Sequence, residues 1–459
     1  MSLSRVVVCE TGPWNRLTLL SCTEGQVWIK NWIYLDEKNR KNGYEKLLRY
    51  DIEKKEISEV YIGNSNYVIL NSNSTKKFLY IVRKLSSNKR EKNLKSGSIS
   101  LIRINLVTYE LEELLDFSNS IKNIRYMKIS KVLNDNYVLL EICYFSEKDD
   151  EDTRRNTVLI YDCISKNLSE LIDKSEDEFY EGSYGLAVQN DKMYFFLTRG
   201  EENSFSDADD NQSQIEIFEL EDSRCKLLLD SYRLVKFPKG TYWNFKKSIN
   251  NGKLLFNCKS WSLKGQIYTS LVTFDVKKES LYTICEFNKG LNIKSTFVSD
   301  DYIYAIIDNS YDLSDGDEEC FKHNSYKSML IKSSVKESEQ NYEYFNLNVE
   351  EEIIPLNFNV FDDKIAVFVS YSEKEVDGYS KKSQKIYTYD IINEKLTCIY
   401  TTYDYESDPY GQIIKGRGKN LMYISDMLPE SNMEKNRELY LKYNLSPLTP
   451  QMIFEFELD

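Results

Sequence analysis

One short pattern returns along this chain at nearly constant spacing. An aliphatic run ends in an aromatic residue followed by Asp or Asn, a short polar segment comes next, and a second apolar run follows. The clearest copies end at Asp51, Asp162, Asp275 and Asp390. Weaker copies place the same position at Asn105, Glu219, Ser333 and Asn444, so that successive copies lie 54 to 58 residues apart. A period this regular predicts a repeat architecture.

Each repeat has room for four strands. Upstream of the pattern lies another strand-like run, introduced by a tight polar turn such as Asn190-Asp191, Asp300-Asp301 or Asp362-Asp363. Asp and Asn suit such turns because their side chains bond to the nearby backbone and tolerate positive φ. A shorter apolar run precedes each turn, so we expect strands A to D in about 56 residues.

Two segments favour helix by local propensity, 110–116 and 168–172. The repeat aligns them with 280–285 and 396–400, which are rich in Tyr, Thr, Ile and Cys. Equivalent positions of a repeat should share one conformation, and strand propensity depends strongly on context. We therefore predict strands in both segments.

Four-stranded units repeated about eight times are typical of a β-propeller. The repeat pattern resembles that of bacterial TolB-like and quinoprotein-like propellers over nearly the whole chain, and this resemblance implies a fold rather than an activity. We predict an all-β chain forming a single β-propeller domain over residues 1–459, with eight four-stranded blades. Seven blades is the alternative if the degenerate copy at Ser333 is something else. Residues 5–9 are expected to pair with the last blade and close the ring.

Composition bears on partners and compartment. With 60 Lys and Arg against 73 Asp and Glu, the net charge is −13, which argues against nucleic-acid and anionic-membrane surfaces. A single histidine, His323, excludes His-based metal clusters, the acidic loops lack the EF-hand register, and we predict no metal and no cofactor. Nine scattered cysteines without a CxxC pair indicate reduced thiols and a cytoplasmic protein, or an extracellular one if a signal peptide is missing.

The candidate binding surface follows from the blade plan. B–C loops and D–A connectors share one face, and the B–C loops are long and irregular. Aromatic residues recur where the connectors enter strand A, and they are candidates for a ligand-stacking surface at the channel mouth, although packing between blades would also explain them. These residues are Trp14, Tyr67, Tyr126, Tyr184, Tyr242, Trp243 and Tyr410.

Two functions are compatible with this scaffold. The first is a non-catalytic binding or scaffold module that recognises a peptide, protein or carbohydrate at the loop-rich face. The alternative is a carboxylate-dependent glycan-processing enzyme with its site at the channel mouth, since that chemistry needs only two carboxyl groups. The sequence nominates no catalytic residue, and it contains no Gly-x-Ser-x-Gly motif of a serine hydrolase.

Overall fold

The chain folds into antiparallel strands in the computed structural model. The structure describes residues 2–8, 17–23, 26–34, 43–51, 53–54, 56–62, 67–85, 99–117, 124–133, 135–145, 154–175, 184–189, 192–199, 214–221, 226–236, 241–249, 253–261, 267–287, 291–308, 328–335, 342–349, 351–404, 412–415, 420–425, 428–429 and 452–457. Within these ranges every regular element is a strand, including both segments with local helix propensity.

The first half of the strands are, in chain order, β1 (Ser2–Val8), β2 (Leu17–Thr23), β3 (Gln26–Tyr34), β4 (Gly43–Asp51), β5 (Glu56–Val60), β6 (Tyr67–Ser74), β7 (Phe78–Leu85), β8 (Ile99–Asn105), β9 (Leu111–Asp116), β10 (Ile124–Leu133), β11 (Tyr137–Phe145), β12 (Arg154–Asp162), β13 (Asn167–Ser175), β14 (Tyr184–Gln189), β15 (Lys192–Arg199), β16 (Gln214–Glu221) and β17 (Lys226–Lys236).

The remaining strands are β18 (Thr241–Ile249), β19 (Lys253–Trp261), β20 (Ile267–Asp275), β21 (Ser280–Phe287), β22 (Asn292–Val298), β23 (Tyr302–Asp308), β24 (Ser328–Ser334), β25 (Tyr342–Asn346), β26 (Glu352–Phe361), β27 (Ile365–Val376), β28 (Tyr379–Asp390), β29 (Lys395–Asp404), β30 (Gln412–Lys415), β31 (Asn420–Ser425), β32 (Leu428–Pro429) and β33 (Met452–Glu457).

Seven sheets each contain four strands that are consecutive in sequence, from β2–β5 to β26–β29, and β32 adds a fifth strand to the last of them. The number of these sheets matches the seven-blade alternative and not the eight blades that were predicted first. A further four-stranded sheet has the order β1-β33-β31-β30 and stands where the eighth repeat was expected. The all-β, β-propeller prediction is confirmed, whereas a single domain over 1–459 stays a prediction.

The strand predicted to close the ring pairs as expected. β1 is antiparallel to β33, with Val6 opposite Phe454 and Val8 opposite Met452. The third strand of this sheet differs from the prediction, which placed it next to Asn444. That segment lies outside the described residues, and β33 takes its position beside β31.

The Asp or Asn of the repeat is explained by the turn that follows it. The side-chain oxygen accepts hydrogen bonds from the backbone N–H groups two and three residues later, at 2.8 to 3.3 Å, in the turns that begin at Asn105, Asp162, Asp275 and Asp390. The bond from Asn393 N–H holds the pKa of Asp390 below its ordinary value. The recurring acid is therefore a turn-forming residue.

These turns end in a left-handed residue, four positions after the Asp or Asn. Tyr109, Lys166, Glu279 and Glu394 have φ between 51° and 61°. Glycine usually fills this position because it has no Cβ to clash. The chain places larger residues there, which accounts for part of its low glycine count of 17.

One predicted loop is a hairpin. The B–C loops are predicted to be irregular, but in this repeat β27 and β28 continue through residues 373–383, with Val376 opposite Tyr379. The turn is Asp377-Gly378, and both residues have positive φ, at 53° and 79°. Asp-Gly is a preferred two-residue hairpin turn, so the sequence contained the signal.

Contacts divide the chain into two compact units, residues 26–261 with 273–281, and residues 1–25 with 262–272 and 282–459. In the first unit, apolar cores form between sheets β6–β9 and β10–β13 and between β10–β13 and β14–β17. In the second, the core lies between sheets β22–β25 and β26–β29. In both units, the apolar side chains of one sheet are thus covered by those of the next sheet in sequence.

Candidate functional site

Five of the seven predicted aromatic side chains lie outside the described part of the structure. Trp14 and Tyr410 lie outside the described residues. Tyr184, Tyr242 and Trp243 lie in β14 and β18, but their side chains are outside the described set as well.

The other two predicted aromatic residues contact their own sheets. The guanidinium of Arg83 lies 4.2 Å from the ring centroid of Tyr67. Tyr126 is half-exposed, and its hydroxyl donates to Glu141 at 2.7 Å. Each of the two residues has a side-chain partner in its own sheet, and the role of both in ligand stacking stays a prediction.

A polar cluster lies between sheets β22–β25 and β26–β29, and its centre is Lys294. The ammonium nitrogen is 3.0 Å from Glu352 Oε1 and 3.8 Å from Asp308 Oδ2. Asp308 is completely buried at the end of β23, whereas the side chain of Glu352 is 55% exposed. Lys294 thus bridges a carboxylate of the interior and one that reaches solvent.

A bulge aims Lys294 at this position. The pairing of β22 with β23 shifts between Ile293 and Ser295, so Lys294 is the additional residue on its strand. Bulges commonly redirect one side chain near functional sites. Lys294 is only 13% exposed, so its charge is compensated mainly by the two carboxylates.

Glu351 extends the cluster along the neighbouring sheet. It lies before the first residue of β26 and accepts a hydrogen bond from Lys385 and one from the Tyr387 hydroxyl at 3.1 Å. The bond to Glu351 raises the pKa of Lys385 above its ordinary value. The adjacent acids Glu351 and Glu352 therefore bind different lysines, one in each sheet.

Two serine hydroxyls complete the cluster. Ser328 is paired with Asp308 across β23 and β24, and Ser370 is paired with Lys385 across β27 and β28. Their exposures are 3% and 1%, and neither Oγ has a hydrogen-bond partner. A buried hydroxyl without a partner costs free energy, so such groups call for an explanation.

Sequence reasoning did not identify this cluster. Its members are spread from residue 294 to residue 387, and strand pairing within each sheet and packing between the two sheets bring them together. The available signals were the consecutive acids Glu351 and Glu352 and a lysine within an otherwise strand-like run.

The carboxylates of this cluster do not form the pair expected for glycoside hydrolysis. That chemistry requires two carboxyl groups that both reach the sugar. Asp308 is completely buried and contacts Lys294, so Asp308 and Glu352 do not make such a pair. Within the described ranges, no three His, Cys, Asp or Glu side chains form a metal-binding group, and no helix there is long and apolar enough to span a membrane.

Comparison with solved structures finds propellers. An acylaminoacyl peptidase of Pyrococcus horikoshii has 11% identity and a TM-score of 0.47, and the match covers 90% of this chain and 58% of that one. The β-propeller domain of the Trilobed protease of Pyrococcus furiosus has 12% identity, a TM-score of 0.42, and coverage of 85% and 96%. The periplasmic gluconolactonase of Pseudomonas aeruginosa has 10% identity and a TM-score of 0.38, and the match covers 82% of this chain and 96% of that one.

Neither a scan of protein-family models nor a search of curated proteins found a match. At 10–12% identity, the structural likeness gives the fold alone. The chain spans little more than half of the acylaminoacyl peptidase.

The prediction of a non-catalytic binding or scaffold module is wrong by this comparison. The similar propellers carry the names of a peptidase, a protease and a gluconolactonase, which are hydrolytic enzymes. Those activities belong to the named proteins, and the case for an enzyme here depends on this chain's own residues.

Proposed function

We propose that this chain is a hydrolase whose reacting groups are Glu352 and Lys294. The observation that carries the proposal is the ammonium of Lys294, held between a buried carboxylate and an exposed one at 3.8 and 3.0 Å. The arrangement places a base and a positive charge side by side where solvent can reach the base.

The chemistry can be written with these groups alone. The carboxylate of Glu352 accepts a proton from a water molecule, and the water oxygen attacks the electrophilic carbon of the substrate. The ammonium of Lys294 stabilises the oxyanion that forms. Glu352 then returns the proton to the leaving group as its bond breaks. Asp308 is a positioning residue, since it holds Lys294 from the buried side.

The experiment is a hydrolysis screen followed by substitution. Purified protein is incubated with chromogenic esters, lactones, aminoacyl anilides and glycosides, and Glu352→Gln is then assayed on any substrate that is turned over. Loss of a general base typically lowers kcat by about 10²- to 10⁴-fold. Asp308→Asn should lower kcat less and leave KM nearly unchanged.

Glu59→Gln is the matched control, because Glu59 is also an exposed glutamate paired with a lysine, Lys46, at 2.6 Å. It should retain the wild-type rate. Absence of turnover on the whole panel, or full activity in Glu352→Gln, would reject the proposal.

Membership of the TolB-like or quinoprotein-like propellers, a bacterial source and a cytoplasmic location are proposed with it. The repeat pattern, which resembles that of bacterial propellers, supports the family and the source. The cysteines support the location. Among the cysteines whose side chains are described, Cys398 is exposed and unbridged, and four others are unbridged and buried: Cys143, Cys163, Cys258 and Cys285.

A further inference from the structure

A cleft of about 520 Å³ opens at the other end of β24 from Ser328. One wall comes from strands β24 and β25, and the other from the turns that precede β27 and β29. Its principal lining residues are Lys332, Glu343, Tyr344, Asp363, Ile392 and Glu394.

Two large hydrophobic side chains beside this cleft are exposed. Tyr344 is 64% exposed and Ile392 is 67% exposed. Large hydrophobic side chains this exposed beside a concave surface are typical of an interaction site.

The charges of the cleft are unbalanced. Glu343, Asp363 and Glu394 face one lysine, Lys332. The ammonium of Lys332 lies 3.9 Å from Glu343 and 4.3 Å from the ring centroid of Tyr302. One cation therefore serves three carboxylates, and the cleft complements a positively charged ligand.

An equivalent position in another repeat shows which cation fits. Strand pairing aligns Tyr80, Arg103 and Glu112 across one sheet just as it aligns Tyr304, Lys332 and Glu343 across the other. In the first set the guanidinium of Arg103 binds Glu112 at 2.7 Å. In the second set, Lys332 replaces the arginine, and its ammonium group is more compact than a guanidinium. The position that a guanidinium fills in the first set is therefore open to an external group.

The excess negative charge is not a requirement of the backbone. Glu394 lies four residues after Asp390, as Lys166 lies four residues after Asp162, and both have left-handed φ, at 51° and 56°. The turn accepts a lysine in one repeat and has a glutamate in the repeat that forms the cleft.

We infer that this cleft binds the guanidinium of an arginine side chain in a peptide partner. Glu343 and Glu394 would accept its N–H groups, and Ile392 would cover its aliphatic stem. The site is separate from the Lys294 cluster, and it does not depend on the proposed hydrolase activity.

The test uses two peptides that differ in one group. Acetyl-Gly-Arg-Gly-amide and the same peptide with citrulline, which is neutral and nearly the same shape, are titrated by calorimetry at low ionic strength. The arginine peptide should bind at least about tenfold more tightly, and added salt should weaken it.

Variants then locate the site. Glu394→Lys, which copies the lysine of the other repeat, should weaken the arginine peptide at least about tenfold. Glu375→Lys is the control, because Glu375 is an exposed acid at the far end of the same sheet, and it should leave the affinity unchanged. Absence of arginine binding, equal binding of the citrulline peptide, or full affinity in Glu394→Lys would overturn the inference.

Discussion

The hydroxyl of Tyr304 donates a hydrogen bond to the carboxylate of Asp363, which lies 3.1 Å away and 59 residues later in the chain. Tyr304 belongs to the second strand of one sheet, and Asp363 to the first turn of the next. Tyr80 makes the same connection, with its hydroxyl donating to the Asp135 carbonyl at 2.6 Å. Successive sheets are thus joined by a tyrosine from one sheet and a turn residue of positive φ from the next.

Tyr304→Phe should destabilise the protein. The substitution keeps the ring and removes a donor to a charged acceptor, which typically costs about 1.5–3 kcal/mol. Chemical denaturation should show a lower midpoint with an unchanged slope. Tyr344→Phe is the control, since that ring is 64% exposed and should have little effect. Equal midpoints for both variants would show that the bond contributes nothing measurable.

Ser58→Glu should stabilise the protein. Arg49 occupies the position of Arg103, and Ser58 occupies that of Glu112, so the guanidinium of Arg49 lies opposite a hydroxyl instead of a carboxylate. Arg49 lies over the ring of Tyr109 at 4.0 Å, and its Nε has no hydrogen-bond partner. A new ion pair at a partly exposed position typically contributes up to about 1 kcal/mol.

The gain from Ser58→Glu should disappear in the Arg49→Met background, as measured by a double-mutant cycle. Ser58→Gln is the control for side-chain size. Stabilisation that persists without Arg49 would contradict the pairing.

Lys166→Gly should also stabilise the protein. A left-handed conformation costs a residue with a Cβ about 1–2 kcal/mol. Glycine avoids this cost but loses about 0.5–1 kcal/mol of stability, because its unfolded chain has more conformational entropy. The net gain should be roughly 0.5–1 kcal/mol in the free energy of unfolding, measured by thermal or chemical denaturation. Lys166→Ala separates the two effects, because it removes the side chain and keeps the Cβ. A glycine variant no more stable than the alanine variant would argue against strain at this turn.

Buried thiols should destabilise the fold at high pH. Burial raises the pKa of Cys285 to about 12 and that of Cys163 to about 11. The folded state therefore retains these protons more strongly than the unfolded chain, whose thiols titrate near 9.0. The stability they provide is complete below about pH 9 and is lost as pH rises toward the folded pKa values.

The free energy of unfolding should fall between about pH 9 and pH 12, and it should fall less steeply in Cys285→Ala. At neutral pH, peptide mapping after iodoacetamide treatment should find Cys398, which is exposed, labelled before Cys163 and Cys285. Equal labelling of all three in the native protein would contradict the burial.

The repeat could be predicted from sequence because its signal is local. Asp162, Asp275 and Asp390 bond to backbone only two and three residues away, so turn chemistry leaves a mark at fixed spacing. Where the pattern is weak, the position predicted from it is displaced by one residue. Ser333 was expected to match Asn105, but strand pairing gives that position to Ser334, since Tyr302 is opposite Ser334 as Phe78 is opposite Asn105.

The polar cluster and the cleft could not be predicted in the same way. Lys294, Asp308 and Glu352 meet only after the bulged pairing of β22 with β23 is formed and the next sheet packs beside it, and no spacing in the sequence encodes those. Glu394 could be recognised as a turn residue, but Glu343, which lines the same cleft, belongs to another sheet. A site built from strands that are distant in the sequence can be recognised only in the three-dimensional structure.

The pairing of β1 with β33 also orders events during synthesis. Residues 2–8 leave the ribosome well before their partner strand at 452–457, which follows more than four hundred residues later. Each sheet of consecutive strands can form as soon as its own segment has emerged, because its contacts are local. The strand β1 must wait with an unpaired edge until its partner has emerged, and that edge can attract wrong partners. Completion of this one sheet is therefore the step at which a nascent chain most needs protection by a chaperone.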